Sequence, residues 1–318
     1  MAPLEILARS TSIRSPPVSF QDTRVWNPQV TISNTVKYVP EWFPRASFEQ
    51  KARGLRIKMT EDAYLVTKAR LYLSGRGTAT PSLTSFALEA IDHTQDVVEQ
   101  EKFIKVASVG ACLASSDTTV TALGAFIIAM EPEAQIKAHR ELEKVLGPGD
   151  LPSFSDESTL PYITAIVREI LRHHSVNPLG LPHLLIQDDI YEGCFLPKGS
   201  IVIANICEEE YLEPERFNPS RFLDSDGKLN PDVKDPATAF GFGRRPGKHV
   251  AIASLWIAVA SILTCYTIES ELDENEKPIK PKGEWYSGPT LLNRPLPFKC
   301  RVIPCSRDVE ASLGASLS

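Results

Sequence analysis

No C-x-x-C pair occurs among the six cysteines, Cys112, Cys194, Cys207, Cys265, Cys300 and Cys305, and their spacing sets out no disulfide framework. A reducing, cytosol-facing location is the simple reading. The six histidines fall in no H-E-x-x-H or comparable pattern, so no metal-ligand motif is present. Basic charge is not in excess: 34 Lys and Arg against 40 Asp and Glu leave a net charge of -6. Phosphate binding needs clustered Lys and Arg, so no nucleic-acid partner is expected. Long apolar runs are also lacking. The start, MAPLEILARSTSIRSPP, is too short in apolar length for a signal peptide or a membrane anchor. The longest apolar stretch, Ala251–Ile268, is broken by Ser and Thr and reads as a buried helix, so no membrane span is expected. There are no internal repeats.

What is present fits a soluble globular chain: 318 residues, 42% hydrophobic and 23% charged, with 25 prolines concentrated where loops are expected. Residues 1–37 are rich in Ser, Thr and Pro and are expected to be poorly ordered. Tyr38–Pro44, YVPEWFP, reads as a bent segment docked on a core. Helical patterns cover Phe48–Leu73, Gln100–Met130, Pro132–Leu146, Ser158–His173 and Lys248–Thr267, with a loop at Gly75–Ser82. The Gln100–Met130 helix is apolar on most sides and is expected to be central and buried. Pro132 suits a first helical position, and Gly147–Asp150 is a stop signal. Short β-rich runs between Gly180 and Asn205 predict a small sheet, and SGPTLLNRPLPFKCRVIP predicts a terminal hairpin. The tail 306–318 is expected to be disordered.

Three motifs carry chemistry. Glu169 and Arg172 sit three apart on one helix face and can pair, a pattern that is usually a solvated surface bridge. Ala114-Ser115-Ser116-Asp117-Thr118-Thr119 interrupts an apolar helix with five polar residues. Such a run can mark a helix start, but ten apolar-patterned residues precede it, so a mid-helix position fits better. There the side chains compete for backbone groups and open the helix locally. Finally, Phe240-Gly241-Phe242-Gly243-Arg244-Arg245-Pro246-Gly247 is a glycine-rich turn leading into a helix.

In this order the motifs resemble the cytochrome P-450 family, the heme-thiolate monooxygenases, over about residues 38–305. The likeness is greatest to fungal biosynthetic members, through LPYITAIVREILR, LGLPH, PKGSIVIANI and PFKCRVIP. The resemblance implies a mostly α fold with a small β region, forming a single incomplete domain: the C-terminal majority of the cytochrome P-450 fold. It implies NADPH-driven insertion of one oxygen atom from O2 into an apolar small molecule. Heme would be the cofactor and an NADPH-dependent reductase the electron donor. It implies the cytosolic face of the endoplasmic reticulum, and the cytoplasm for this chain if it has no anchor.

The resemblance also assigns residues. Asp117 and Thr118 match the acid–alcohol pair that relays protons. Phe240, Gly243, Arg245 and Gly247 match the heme loop, with Arg245 on a propionate and His183 a second candidate there. Substrate contacts fall to Leu113, Ala114, Val176, Leu179 and Pro289. Glu169, Arg172 and Arg216, the last from Pro214-Glu215-Arg216-Phe217, match a buried structural triad in which two guanidiniums hold one carboxylate.

The departures are as specific as the matches. The family's loop runs Phe, two residues, Gly, one residue, Arg, one residue, Cys, one residue, Gly. Here Arg245 is followed directly by Pro246, so the two residues that include the iron-ligating cysteine are missing. None of the other cysteines is expected to replace it, and His249, four residues past the slot, is the alternative donor. The N-terminal helices of the family are expected to be absent, and Ile206–Tyr211 is short by several residues. A non-catalytic remnant that binds heme weakly or not at all, and an unrelated helical interaction protein, remain as alternatives.

Overall fold

Local chemistry starts and stops the helices that position the site. The computed structural model describes Gly54, Glu61, Tyr64, Leu65, Lys68, 81–147, 149–206, 211–241, 247–279, Trp285 and 292–305. The expectations for residues 1–37, for Tyr38–Pro44 and for the tail 306–318 lie outside these. Within the expected Phe48–Leu73 helix, all five described residues are helical. The elements named below belong to one compact unit, Thr60–Ser318.

Helix α1, Leu83–Glu89, is followed by the long helix α2, Val97–Ala129. Asp96 caps α2 by accepting from the N–H groups of Val98 and Glu99 at 2.9 and 3.1 Å. Helix α3, Pro132–Val145, and helix α4, Pro161–His173, both open on a proline, where the missing N–H costs nothing. The start of α4 is capped from another helix. The Glu141 carboxylate of α3 accepts from Tyr162 N–H and Ile163 N–H at 2.9–3.1 Å. Burial raises the Glu141 carboxyl pKa, and these two N–H bonds pull against that rise. Helix α5, Lys248–Cys265, completes the set.

The core lies where α2, α3 and α4 meet α5. Phe126, Ala138, Leu142, Ile163, Ile166, Trp256, Val259 and Leu263 are fully or almost fully buried there. The Trp256 indole N–H donates to Thr164 Oγ1 at 3.1 Å, which gives the largest buried ring its polar partner. Gln135 is buried and holds both the N–H and the C=O of Ile268 at 2.7 Å, tying α3 to the strand that follows α5.

Among the described residues the β structure is three small sheets. His183–Leu184 (β1) pairs antiparallel with Ile201–Val202 (β4), and Asp189–Tyr191 (β2) with Cys194–Leu196 (β3). The β2–β3 turn is Glu192-Gly193, both at positive φ (48° and 81°), the backbone a two-residue hairpin needs. Tyr266–Leu272 (β5) lies between Pro278–Ile279 (β6) and Cys300–Pro304 (β7). Of the terminal hairpin expected over SGPTLLNRPLPFKCRVIP, residues 286–291 lie outside the described residues; Trp285 bridges antiparallel to Pro295 across them, and β7 pairs with β5.

Two helices among the described residues are long and apolar enough to cross a membrane, α2 and α5. Packing accounts for one face of α5, which buries Leu255, Trp256, Val259, Ala260 and Leu263. Helix α2 departs from expectation. It is central at its C-terminal end only, with Thr121, Ala122, Ala125 and Phe126 buried. From Val106 to Ser116 its described side chains are exposed, apart from half-buried Ser108 and Val109. The reason is reach: α4 and α5 meet only its last turns, while its apolar residues continue all round.

Candidate functional site

Glu169 is the most enclosed charge among the described residues, with its side chain at 0% exposure. Helix α4 presents it and Arg172 on one face. Arg172 grips the carboxylate with both arms, Nε to Oε2 at 2.7 Å and Nη2 to Oε1 at 2.8 Å. Asn218 N–H donates to Oε1 at 2.7 Å. The second guanidinium is that of Arg221, whose Nε lies 3.2 Å from Oε1 and 3.1 Å from Oε2. Both arginines then fasten the chain ahead of them. Arg172 donates to the carbonyls of Pro214 and Arg216, and Arg221 to those of Leu212, Glu213 and Arg216. One buried carboxylate thus fixes the loop Leu212–Asn218 against α4.

This corrects the third member of the triad. Arg216 points outward, its side chain 65% exposed and 3.6 Å from Glu213, and it joins the network only through its carbonyl. The reason is visible in the chain: Pro214-Glu215-Arg216-Phe217 and Pro219-Ser220-Arg221-Phe222 are two copies of one P-x-R-F pattern. The first copy lies in the fastened loop. The second forms a 3-10 turn whose Phe222 is fully buried, and this directs Arg221 inward.

The polar run lies in mid-helix, as its spacing predicts, but α2 continues through it without a break. The hydroxyls turn back onto the helix. Ser115 and Ser116 donate to Cys112 O at 3.1 and 2.8 Å, and Thr118 to Ala114 O at 2.7 Å. Asp117 has no such refuge. Partial burial raises its pKa, and the guanidinium of Arg294 opposes the rise. Arg294 is brought close by a latch that the sequence did not reveal. Asn293 N–H donates to Val176 O at 2.8 Å, and His174 Nε2 contacts Asn293 O at 3.2 Å. The His174 ring stacks on Trp285 at 3.2 Å between centroids, and burial pushes its pKa down to about 4. Pro295 seats against Gly124, where a Cβ would come within 2.9 Å of its ring. Asp117 and Gly124 are seven residues apart and so lie nearly in line along α2.

The remaining assigned residues are placed as follows. Val176 packs against the core and anchors the latch, while Leu179 and Ala114 are exposed. Leu113 is helical. His183 is exposed in β1 opposite Val202. Phe240 ends a 3-10 turn, with Lys248 Nζ 5.5 Å from its ring centre. Gly247 takes φ +91° as the residue before α5, a conformation glycine accepts freely. Gly243, Arg245 and Pro289 lie outside the described residues.

Comparison with known proteins decides the family. The Cytochrome P450 family model matches residues 26–301. The chain belongs to the cytochrome P450 family. It is 53% identical over 289 residues to Cytochrome P450 monooxygenase 98 of Postia placenta, covering 87% of this chain and 55% of that one. It is 38% identical over 289 residues to Tryptamine 4-monooxygenase of Psilocybe cyanescens, covering 87% and 57%. It is 36% identical over 284 residues to O-methylsterigmatocystin oxidoreductase of Aspergillus flavus, covering 85% and 51%. The chain spans about half the length of the curated relatives it matches.

Cytochrome P450 proteins use heme iron, held in the heme-thiolate type by a cysteine sulfur. Among the described residues, none fits the role of that sulfur donor. No described cysteine stands at the start of α5. Cys265 ends that helix, roughly 25 Å from Lys248 at 1.5 Å per residue. Cys112 is on α2, Cys194 on the β2–β3 hairpin, and Cys300 and Cys305 at the two ends of β7. No group of three His, Cys, Asp or Glu side chains among the described residues could hold a metal ion. His249 is on the first turn of α5 and exposed.

Proposed function

We propose that this chain carries the scaffold of a heme-dependent monooxygenase of fungal small-molecule metabolism, and that as written it does not form the heme-thiolate centre. The first half of the reading is drawn from the family and from relatives named as monooxygenases and oxidoreductases of small molecules. The reaction class is insertion of one oxygen atom from O2 into an apolar substrate, with electrons from an NADPH-dependent reductase at the cytosolic face of the endoplasmic reticulum. The second half rests on one observation: Arg245 is bonded directly to Pro246, with no cysteine between.

The chain's own residues fill the remaining roles as follows. Asp117 holds and releases a proton beside Arg294, and Thr118 is its partner in the relay that the family resemblance implies. Val176 places the latch, and Glu169, Arg172 and Arg221 hold the scaffold. No catalytic step is assigned to iron, because its donor is not in the chain. Two experiments test the reading. Sequencing the transcript expects two further residues between Arg245 and Pro246, the second a cysteine. A transcript that reads RRPG points instead to a non-catalytic remnant. Purified chain supplied with heme, reduced and exposed to carbon monoxide, should give no thiolate-type spectrum.

A further inference from the structure

We infer that Cys265 and Cys305 are a thiol pair that a small-molecule disulfide converts reversibly into a protein disulfide, locking the end of α5 to the end of β7. The inference is independent of the heme reading. Both cysteines are free thiols in this structure. The β5–β7 register pairs Thr267 with Ile303 and Tyr266 with Pro304, so the next position along sets Cys265 opposite Cys305. The Cys305 N–H donates to the Cys265 carbonyl at 2.8 Å, which makes this a hydrogen-bonded position of the ladder. Pro304, which has no N–H to donate, falls at the non-hydrogen-bonded position beside it. Residues facing each other at a hydrogen-bonded position stand roughly 5.5 Å apart at Cα. That is about the separation most disulfides bridge. Cys300, at the other end of β7, faces Ser270 instead.

The pair divides the two roles of thiol–disulfide exchange. Cys305 is exposed and meets the small disulfide, while Cys265 is buried and resolves the intermediate. Burial raises the Cys265 thiol pKa and the neighbouring Cys305 raises it further, so the two sulfurs lie within electrostatic reach. Desolvation of its sulfur raises the Cys305 thiol too, although the residue is exposed; the Thr267 hydroxyl, 3.8 Å from Sγ, opposes the rise and Glu143 adds to it. Since the thiolate is the nucleophile, the resting pair is protonated and reacts slowly at neutral pH. The Cys305 thiolate attacks the small disulfide, whose S–S bond breaks, and the released thiolate takes up the Cys305 proton. Cys265 then attacks Cys305 Sγ in the mixed disulfide, and the second small thiolate leaves with the Cys265 proton. The two protein thiols lose two electrons, and the one small disulfide becomes two small thiols. The new bond closes β5, β6, the Asn293–Pro295 latch and β7 into one loop. Tying β7 to α5 thus suppresses local opening of the segment that holds Arg294 near Asp117.

The experiment incubates the full chain with mixtures of oxidised and reduced glutathione, blocks the remaining thiols by alkylation, and maps the linked peptides by mass spectrometry. The expected product is a Cys265–Cys305 disulfide within one chain, undone by excess reduced glutathione. Amide hydrogen exchange at Asn293 should slow by roughly threefold or more in the oxidised form. Cys305→Ser should abolish both effects, and Cys300→Ser should leave both in place. Position 305 is exposed, so the reduced Cys305→Ser chain should keep the urea midpoint of the unaltered one. A Cys305 that stops at the glutathione mixed disulfide at every ratio overturns the inference. So does Cys305 bonded to another cysteine or to a second copy of the chain, or a linkage that forms only when urea has unfolded the protein. An Asn293 exchange rate indifferent to the linkage overturns the lock.

Discussion

Replacing Arg221 by alanine should unfold this chain far more readily than replacing Arg216, although the two stand five residues apart in the same motif. The Glu169 carboxylate is fully buried and receives both arms of Arg172, the Asn218 N–H and Arg221. Arg221→Ala leaves Arg172 in place, so the carboxylate is not stranded entirely. It does release the carbonyls of Leu212, Glu213 and Arg216. The cost should therefore lie near the low end of the range for breaking a buried pair, about 3 kcal/mol. Glu169→Gln leaves two guanidiniums facing each other without a counter-charge and should sit near the high end, about 5 kcal/mol. Arg216→Ala removes an exposed side chain and a loose contact and should cost under about 0.5 kcal/mol. In urea, at a slope of roughly 2 kcal/mol per molar, the midpoint should fall by roughly 1.5 M for Arg221→Ala. Arg216→Ala should move it by less than roughly 0.3 M. Equal losses for the two arginines, or a larger loss for Arg216→Ala, would refute the network.

Three further outcomes are expected. Burial raises the Glu141 carboxyl pKa, so the fold binds that proton more readily than the unfolded chain does. Its contribution to stability therefore falls as pH rises from the ordinary Glu value of 4.5 through the raised one, and Glu141→Gln should flatten urea midpoints across that window; an unchanged pH profile would count against it. Arg294→Gln removes the cation that opposes burial at Asp117 and should raise the Asp117 pKa in a carbon-13 carboxyl titration; no upward shift would mean that Arg294 does not face it. Gly124→Ala gains about 1 kcal/mol of helix propensity but sets a methyl within 2.9 Å of the Pro295 ring, at an overpacking cost of about 1–3 kcal/mol. It should be neutral to destabilising, and clear stabilisation in thermal melts would show that Pro295 is not seated there.

The four long helices were legible because their signals are local. Pro132 marks a first position, Gly147 follows an end, and helical apolar patterns run through each segment, broken in the longest only by the polar run Ser115–Thr119. Observed ends fall within three residues of the expected ones, the usual scale on which caps and frayed turns move boundaries. What failed was everything set by distant partners. The chain offers P-x-R-F twice, and only the tertiary position of the buried Phe222 selects Arg221 over Arg216. The apolar pattern of α2 correctly indicated a helix meant for burial, but periodicity does not reveal which neighbours reach it. The latch of His174, Trp285 and Asn293 joins residues more than a hundred positions apart and has no local signature. Capping of α4 by Glu141 is hidden for the same reason: the cap comes from α3, not from the residue before the helix.

The central claim is that a monooxygenase scaffold here lacks its sulfur donor, and the ferrous carbon monoxide spectrum tests it most directly. The full chain is purified, supplied with heme, reduced and exposed to carbon monoxide, beside a version with Ala-Cys inserted between Arg245 and Pro246. The chain as written should show no thiolate-type band at any heme concentration. A thiolate-type band from the unaltered chain that is abolished by changing one of Cys112, Cys194, Cys207, Cys265, Cys300 or Cys305 to Ser would contradict the claim and identify the donor.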